Sequence, residues 1–371
     1  MLQMIPKWRA FIDHWLQKQA QVCVTQPLSK TVSANDKAYF AHIGVRKLAW
    51  RQLRHALYFK LSGHGKRCFR KIPAHWKRGL WLYKGIPQIG DALMDLAPRS
   101  LLRDQGLSID LLTDEHIAAT FDGDPWFENV LSSSEAINSQ NYDFVIVPSH
   151  KRRSLHHKSD AFSPSPWISV HGFYTGPEFH RGEFATQRLL DALGVALPAD
   201  VFSQHSRQKL KPLGTPEKRT SSVLKIAFAV GGVDPLRSYT HWDTLAHHLS
   251  KLIDLEITLV GSENGLGFAK AFEESWRGLV NNAVNQTSLA QCRQLINEQD
   301  VLVACDGGLM HLGVTTHVKL ISLFTSAVDP QWRLPRDRLS SALQAPTNSV
   351  NSIAPSDIAH QVIEAMRFLD R

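Results

Sequence analysis

Three short polar segments carry residue types suited to chemistry on a charged substrate. The first is Lys84-Gly85-Ile86-Pro87-Gln88-Ile89-Gly90-Asp91-Ala92-Leu93-Met94. Its glycine spacing resembles a phosphate loop, but Asp91 stands where such a loop needs Lys. A carboxylate there would repel a triphosphate, which excludes nucleotide hydrolysis. A carboxylate at the carboxyl end of a strand suits a general base, or equally a helix N-cap. The second is Gly231-Gly232-Val233-Asp234-Pro235-Leu236-Arg237-Ser238, a glycine turn with one cation. It fits a diphosphate, or serves as a surface turn. The third runs from Asp306 through Gly307, Gly308, Leu309, Met310 and His311 to Gly313. A glycine-rich helix start offers free backbone N–H groups and the positive dipole end to a phosphate. Asp306 is expected to N-cap that helix, and His311 to face the helix mouth about one turn in. Gly261-Ser262-Glu263 is a weaker candidate: its carboxylate can accept hydrogen bonds from a ribose, or simply close a strand end.

Apolar runs on either side must position these residues. Residues 80–85, 108–113, 142–149, 224–230, 255–262, 301–305 and 319–324 read as strands, several of them apolar enough to be buried on both faces. Residues 91–103, 183–193, 241–252, 288–298 and 356–369 read as helices, with Gly194 as a C-terminal stop. The last helix is expected to pack back across the domain junction. Residues 205–222 are polar, basic and proline-bearing, and mark a linker. The fold class is α/β: two Rossmann-like, doubly wound domains facing a cleft, over residues 79–204 and 223–371.

At 371 residues two domains are the default, and a 43% hydrophobic content is ordinary for a globular chain. Charge is unevenly placed. Residues 1–78 hold 16 Lys/Arg against 2 Asp/Glu, a surplus of 14, while the remaining 293 residues hold 26 against 32. The basic character therefore belongs to an N-terminal helical extension. Residues 4–22 and 45–61 show apolar residues at helical spacing, the second interleaved with Arg46, Lys47, Arg51, Arg54 and Lys60. Such helices suit an anionic membrane surface, or pack on the body with their cations solvated. No nucleic-acid reader motif accompanies the charge. Cys23, Cys68, Cys292 and Cys305 lack metal-ligand spacing. The chain reads as cytoplasmic, without a signal peptide or a membrane-spanning run.

The order G-D-A-L-M, R-S-Y-T-H-W, L-V-G-S-E, Q-T-S-L and D-G-G-L-M-H-L-G resembles the heptosyltransferase family, glycosyltransferase family 9 of the GT-B fold, over roughly residues 80–370. The resemblance implies an inverting, metal-independent transfer of a sugar, usually heptose from ADP-heptose, onto a lipopolysaccharide or lipooligosaccharide core, at the inner face of the inner membrane. No cofactor or metal is implied. It makes Asp91 the general base and assigns Gly231, Gly232 and Arg237 to the donor diphosphate. Asp306, Gly307, Gly308, Leu309 and His311 fall to the donor turn, and Gly261, Glu263, Thr287 and Ser288 to the nucleoside. The family usually has Lys where this chain has Arg237, and it lacks the extension. The run His150-Lys151-Arg152 is expected to meet anionic groups of a lipid acceptor. Asp122-Gly123-Asp124 has the D-x-D form of a metal site in single-domain GT-A enzymes, but two βα series argue for a turn. The alternatives are an inactive GT-B scaffold at the membrane, or a GT-B enzyme using another nucleotide sugar.

Overall fold

The computed structural model describes residues 4–24, 34–133, 137, 139–215 and 222–367. The end of the expected linker, residues 216–221, lies outside them. Two compact units result: Met1–Pro87 with Asp95–Ala118 and Pro125–Arg207, and Gln88–Met94 with Ala119–Asp124 and Gln208–Arg371.

The first unit opens with helices α1 (Met4–Val22), α2 (Ala34–Ile43) and α3 (Val45–Leu61). A βα series follows: β1 (Arg78–Tyr83), α4 (Ile89–Asp95), α5 (Arg99–Asp104), β2 (Ser108–Thr113), α6 (Glu115–Thr120), β3 (Val130–Leu131), β4 (Phe144–Val147), α7 (Arg152–Phe162), β5 (Trp167–Ser169), α8 (Arg181–Leu193) and α9 (Ala199–Ser206). All pairings are parallel, in the order β3-β2-β1-β4-β5. Leu80, Leu82, Val145, Val147, Leu155, Phe162 and Trp167 form its core, as expected of strands covered on both faces. The extension is part of this unit. Ala20, Cys23 and Val24 bury against Leu48 and Ala49, with Phe173 packed alongside. Cys68 bridges Trp167 beside β5, and Phe69 N–H donates to the Trp167 carbonyl at 2.8 Å.

The single helix expected over residues 91–103 is two, α4 and α5, broken at residues 96–98. Pro98, which caps α5, lacks an N–H and disfavours helical backbone in the residue before it. Helix α8 ends as expected, at Gly194 with φ 72°. Inside this unit Asp95 is fully buried and holds three partners. His171 Nε2 lies 2.8 Å away, Tyr83 Oη 3.2 Å, and Arg181 grips both carboxylate oxygens. Burial alone would raise the carboxyl's pKa, but the Arg181 and His171 charges outweigh it and hold the group well below the usual range.

The second unit contains β6 (Leu224–Ala229), α10 (Trp242–Ser250), β7 (Leu255–Val260), α11 (Leu266–Ser275), β8 (Val280–Asn282), α12 (Leu289–Asn297), β9 (Val301–Cys305), α13 (Gly308–Val314), β10 (Lys319–Phe324), β11 (Ala342–Gln344) and α14 (Pro355–Arg367). Its parallel sheet runs β11-β10-β9-β6-β7-β8. Counted from β6 this is the strand order of a dinucleotide-binding Rossmann sheet. Helix α14 packs within the second unit. Its Ile358, Ala359, Val362 and Met366 join the core of the second unit with Leu245, Leu249, Ile321 and Leu323. An amphipathic helix buries its stripe on the nearest apolar surface, here α10 and β10.

Arg181→Ala leaves the Asp95 carboxylate buried with only neutral donors and His171. We expect a loss of about 3 kcal/mol in urea denaturation at pH 7; Asp95→Asn in the same background should recover part of it.

Candidate active site

In each sheet two neighbouring strands send their connections in opposite directions, which opens a crevice at their carboxyl ends. In the second sheet these strands are β6 and β9. Their following loops carry Gly231, Gly232 and Arg237, and Asp306, Gly307 and Gly308. In the first sheet they are β1 and β4, whose loops lead to Asp91 and to His150, Lys151 and Arg152. Parallel pairing, set by the apolar runs, thus brings the polar segments to the strand ends where ligands of α/β sheets bind.

Asp306 is the hub of the second unit's site. It does not cap α13. The capping position is Gly307, in extended backbone and without a side-chain cap. The nearly buried Asp306 carboxylate is turned to cations instead. Oδ2 lies 3.4 Å from Arg237 Nη1, and Oδ1 lies 3.7 Å from Arg333 Nε and 4.0 Å from His311 Nε2. Two guanidinium groups and the His311 ring around the carboxylate replace the single hydrogen bond of a cap. Arg237 also reaches Asp234 at 3.2 Å, and Asp234 in turn caps the short 3-10 turn Pro235–Arg237. His311 is buried. Its Nδ1 lies 3.0 Å from Gln208 Oε1, and Gln208 Nε2 donates to the Arg333 carbonyl at 2.6 Å.

The segment Gln88–Met94 belongs to this second unit although it leaves β1 of the first sheet. The contact is intimate. A Cβ at Gly90 would overlap Cδ2 of His311 and come within 3.1 Å of its Nε2, and one at Gly308 would meet Ile89 Cγ2 at 2.8 Å. The start of α4 therefore lies against the start of α13, and the half-buried Asp91 occupies the first turn of α4. Asp91 and the Asp306 turn share one compact unit.

The remaining candidates of the second unit gather at the ends of β6, β7 and β8. Gly231 has φ 84°, and a Cβ there would meet the backbone of Gly265 at 2.6 Å. Only glycine allows the loop after β6 to touch the turn after β7. Gly232 lies against Ser238, and Gly261 against the Val230 carbonyl. The Gly261 carbonyl accepts from Asn285 N–H at 2.9 Å, which ties in the turn before Thr287 and Ser288. Glu263 is exposed at the head of its 3-10 turn. Ser288 is engaged in a capping box with Gln291 at the start of α12, so its hydroxyl is committed to the helix. Thr287 hydrogen-bonds the Cys292 thiol, which burial pushes up to about 11.

In the first unit His150 is separated from its neighbours in sequence. Its ring stacks with Phe59 at 4.6 Å and His55 at 5.3 Å, and meets Trp167 edge-on at 5.3 Å. Burial lowers its pKa to about 3, and that of His55 to about 4. Lys151 and Arg152 are exposed at the start of α7. Arg152 lines a cavity of about 390 Å³ with Tyr58, His64, Leu155, His156 and Ser159. Asp122-Gly123-Asp124 forms a turn, with Gly123 at φ 66°. Among the described residues no group of three or more His, Cys, Asp or Glu is placed to hold a metal ion.

Sequence reasoning misses Arg333 and Gln208. Arg333 follows a 3-10 turn capped by Asp329, and the D-P-Q-W-R spelling marks the turn but not the ion pair. Gln208 lies within the stretch read as a linker, yet it is buried.

Residues 225–353 match the family model of glycosyltransferase family 9 (heptosyltransferase). Three solved structures are similar over most of the chain. The glycosyl transferase family 9 protein of Veillonella parvula DSM 2008 is 15% identical, with a TM-score of 0.62 over 81% of this chain and 99% of that one. The E. coli ADP-heptose lps heptosyltransferase II is 16% identical, with a TM-score of 0.61 over 79% and 100%. The E. coli heptosyltransferase WaaC with ADP is 17% identical, with a TM-score of 0.58 over 78% and 99%. A comparison with curated protein sequences finds no match. The two parallel α/β sheets thus have the fold of the GT-B heptosyltransferase structures. More narrowly, it is residues 225–353 that are similar to the glycosyltransferase family 9 (heptosyltransferase) domain.

Two outcomes follow from this geometry. Gly90→Ala forces a methyl group into the His311 ring and should cost about 1–3 kcal/mol. In the His311→Ala background, which clears the ring, the same substitution should cost almost nothing in a thermal-melt double-mutant cycle. Separately, His55 and His150 are held neutral in the fold. Below pH 6.5 the unfolded chain takes up protons that the folded chain refuses, so stability is complete above that pH and falls as pH drops toward 3. Urea midpoints between pH 7 and 4.5 should fall less steeply for His150→Phe than for the parent chain.

Proposed function

We propose that the chain transfers a sugar, heptose from ADP-heptose, with inversion and without a metal, onto a hydroxyl of an anionic lipopolysaccharide-core acceptor. The observation that carries this reading is the packing of Ile89 and Gly90 against Gly308 and His311. It puts a carboxylate, Asp91, in the same unit as a turn supplied with two arginines. E. coli WaaC has been solved with ADP and with ADP-2-deoxy-2-fluoro heptose, which supports that donor class.

The step is a direct displacement. The acceptor oxygen attacks the anomeric carbon while its proton passes to Asp91. The carbon–oxygen bond to the diphosphate breaks, and its electron pair leaves with the nucleoside diphosphate. Arg237 and Arg333 supply the positive charge that the leaving group needs, aided by the backbone N–H groups at Gly307-Gly308. Asp306 holds both arginines in place and offsets part of their charge. Gly231 and Gly232 bring the β6 loop close to the diphosphate, and Gly261, Glu263 and Thr287 border the nucleoside. Lys151 and Arg152 meet the anionic groups of the acceptor.

Asp91→Asn should lower kcat about 10²–10⁴-fold with ADP-heptose and a truncated core acceptor, leaving donor KM and melting temperature nearly unchanged. EDTA-treated protein should keep its rate. An unaltered rate in Asp91→Asn would remove the base assignment. Absence of turnover with every nucleotide sugar tried would favour a scaffold.

A further inference from the structure

The two long helices of the extension are each amphipathic twice over. Their packed faces carry no aromatic residue of α1: Ala20 of α1 and Cys23 just beyond it meet Leu48 and Ala49 of α3, with Leu16 packed alongside. Their outward faces carry large ones. On α1, Trp8, Phe11, Ile12, Trp15 and Val22 recur at spacings of three, four and seven and are exposed, Trp8 at 60% and Phe11 at 63%. On α3, Trp50, Leu57 and Leu61 are 64%, 56% and 77% exposed. At about 100° per residue they share a face with Arg46, Lys47 and Arg54, opposite the buried Leu48. Asp13 is the one acid in either helix. Among the described residues, Arg46, Lys47, Arg51, Arg54 and Lys60 make no ion pair.

We infer that the outward faces of α1 and α3 dock on the anionic surface of a lipid bilayer. Three observations select this occupant over a protein partner. The cores of protein interfaces shed charge, lysine above all, whereas here cations sit within the apolar stripe. Exposed tryptophans on both helices fit the headgroup level, where an indole has apolar and polar neighbours together. The unpaired arginines and lysines can lie along the apolar surface and reach lipid phosphates with their charged ends. Contact is at the surface, since no described helix is long and apolar enough to cross a membrane. Apolar burial and cationic attraction supply two signals, which stable interfacial binding needs. The inference is independent of the transfer reaction, and either can fail alone.

The test is flotation of the full chain with phosphatidylcholine vesicles, with and without phosphatidylglycerol. Binding should require the anionic lipid and weaken as salt rises. Lys47→Gln with Arg54→Gln should lower it about 25-fold, taking each basic residue near the surface as worth about 1 kcal/mol, or fivefold. Trp50→Ser with Leu57→Ser should lower it as well. Lys251→Gln with Arg277→Gln, exposed cations of the second unit, should leave it unchanged, and matching melting temperatures show that all variants fold. No binding to anionic vesicles, or binding that both extension variants retain, overturns the inference. So does a chain that ignores vesicles but self-associates through this face, seen as a dimer in sedimentation velocity that the Trp50/Leu57 variant dissolves.

Discussion

The site depends on a close approach that leaves no room for a methyl group. Gly90 faces the His311 ring across a gap that only hydrogen can fill. His311 cannot swing away, because Gln208 holds Nδ1 and Asp306 stands near Nε2. Gln208 also holds the Arg333 backbone, and the Arg333 side chain returns to Asp306. The result is a closed circuit of buried polar groups in which each member fixes the next. Such a circuit is stable only when nearly every group is satisfied, since an unpaired member would be stranded at low dielectric. That requirement explains how a bulky ring, the Arg333 guanidinium and a carboxylate keep one arrangement. Asp91, the residue after Gly90, inherits its position from this circuit.

What was legible in the residues and what was not divides along sequence distance. Buried parallel strands announce themselves through runs such as Val301–Cys305 and Leu255–Val260, because both faces must be apolar. Gly194 announces the end of α8 because the left-handed cap is a local need. The break at Pro98 was legible in principle too, and the expectation of one helix over 91–103 gave too little weight to proline. Asp306 was misread for a different reason. Its local context allows a cap, but Arg237 and Arg333 outbid the helix, and both come from other loops. Gln208 is the extreme case. A polar residue among lysines and prolines reads as a linker, and only the distant His311 reveals its task.

His150 shows the same limit. Placed beside Lys151 and Arg152, it reads as one of three cations on a loop. The strand before it turns the ring inward, onto Phe59 and Trp167, while the next two residues turn out at the start of α7. Alternation along an extended segment separates neighbours in sequence into different environments. The half-buried neutral ring then bonds the extension to the first sheet, because His55 and Phe59 of α3 complete the stack. A residue read as a ligand contact thus lies where the two halves of the first unit join.

The extension has its own logic of size. A helix that folds only to stabilise a protein buries its largest apolar residues, because burial free energy grows with area. Here Ala20, Cys23, Leu48 and Ala49 are inside, and the larger Trp8, Phe11, Trp15 and Trp50 are outside. Small residues let α1 and α3 approach closely, so the pair is held firmly without spending its aromatic surface. Periodicity cannot reveal this, since an apolar stripe at helical spacing has the same signature whether it faces a core or a solvent boundary. Charge separates the cases. Burial in a core would require the neighbouring Arg46, Lys47 and Arg54 to find acids, and the extension supplies almost none. A face that is both aromatic and uncompensated in charge is complementary to something apolar beneath a layer of anions.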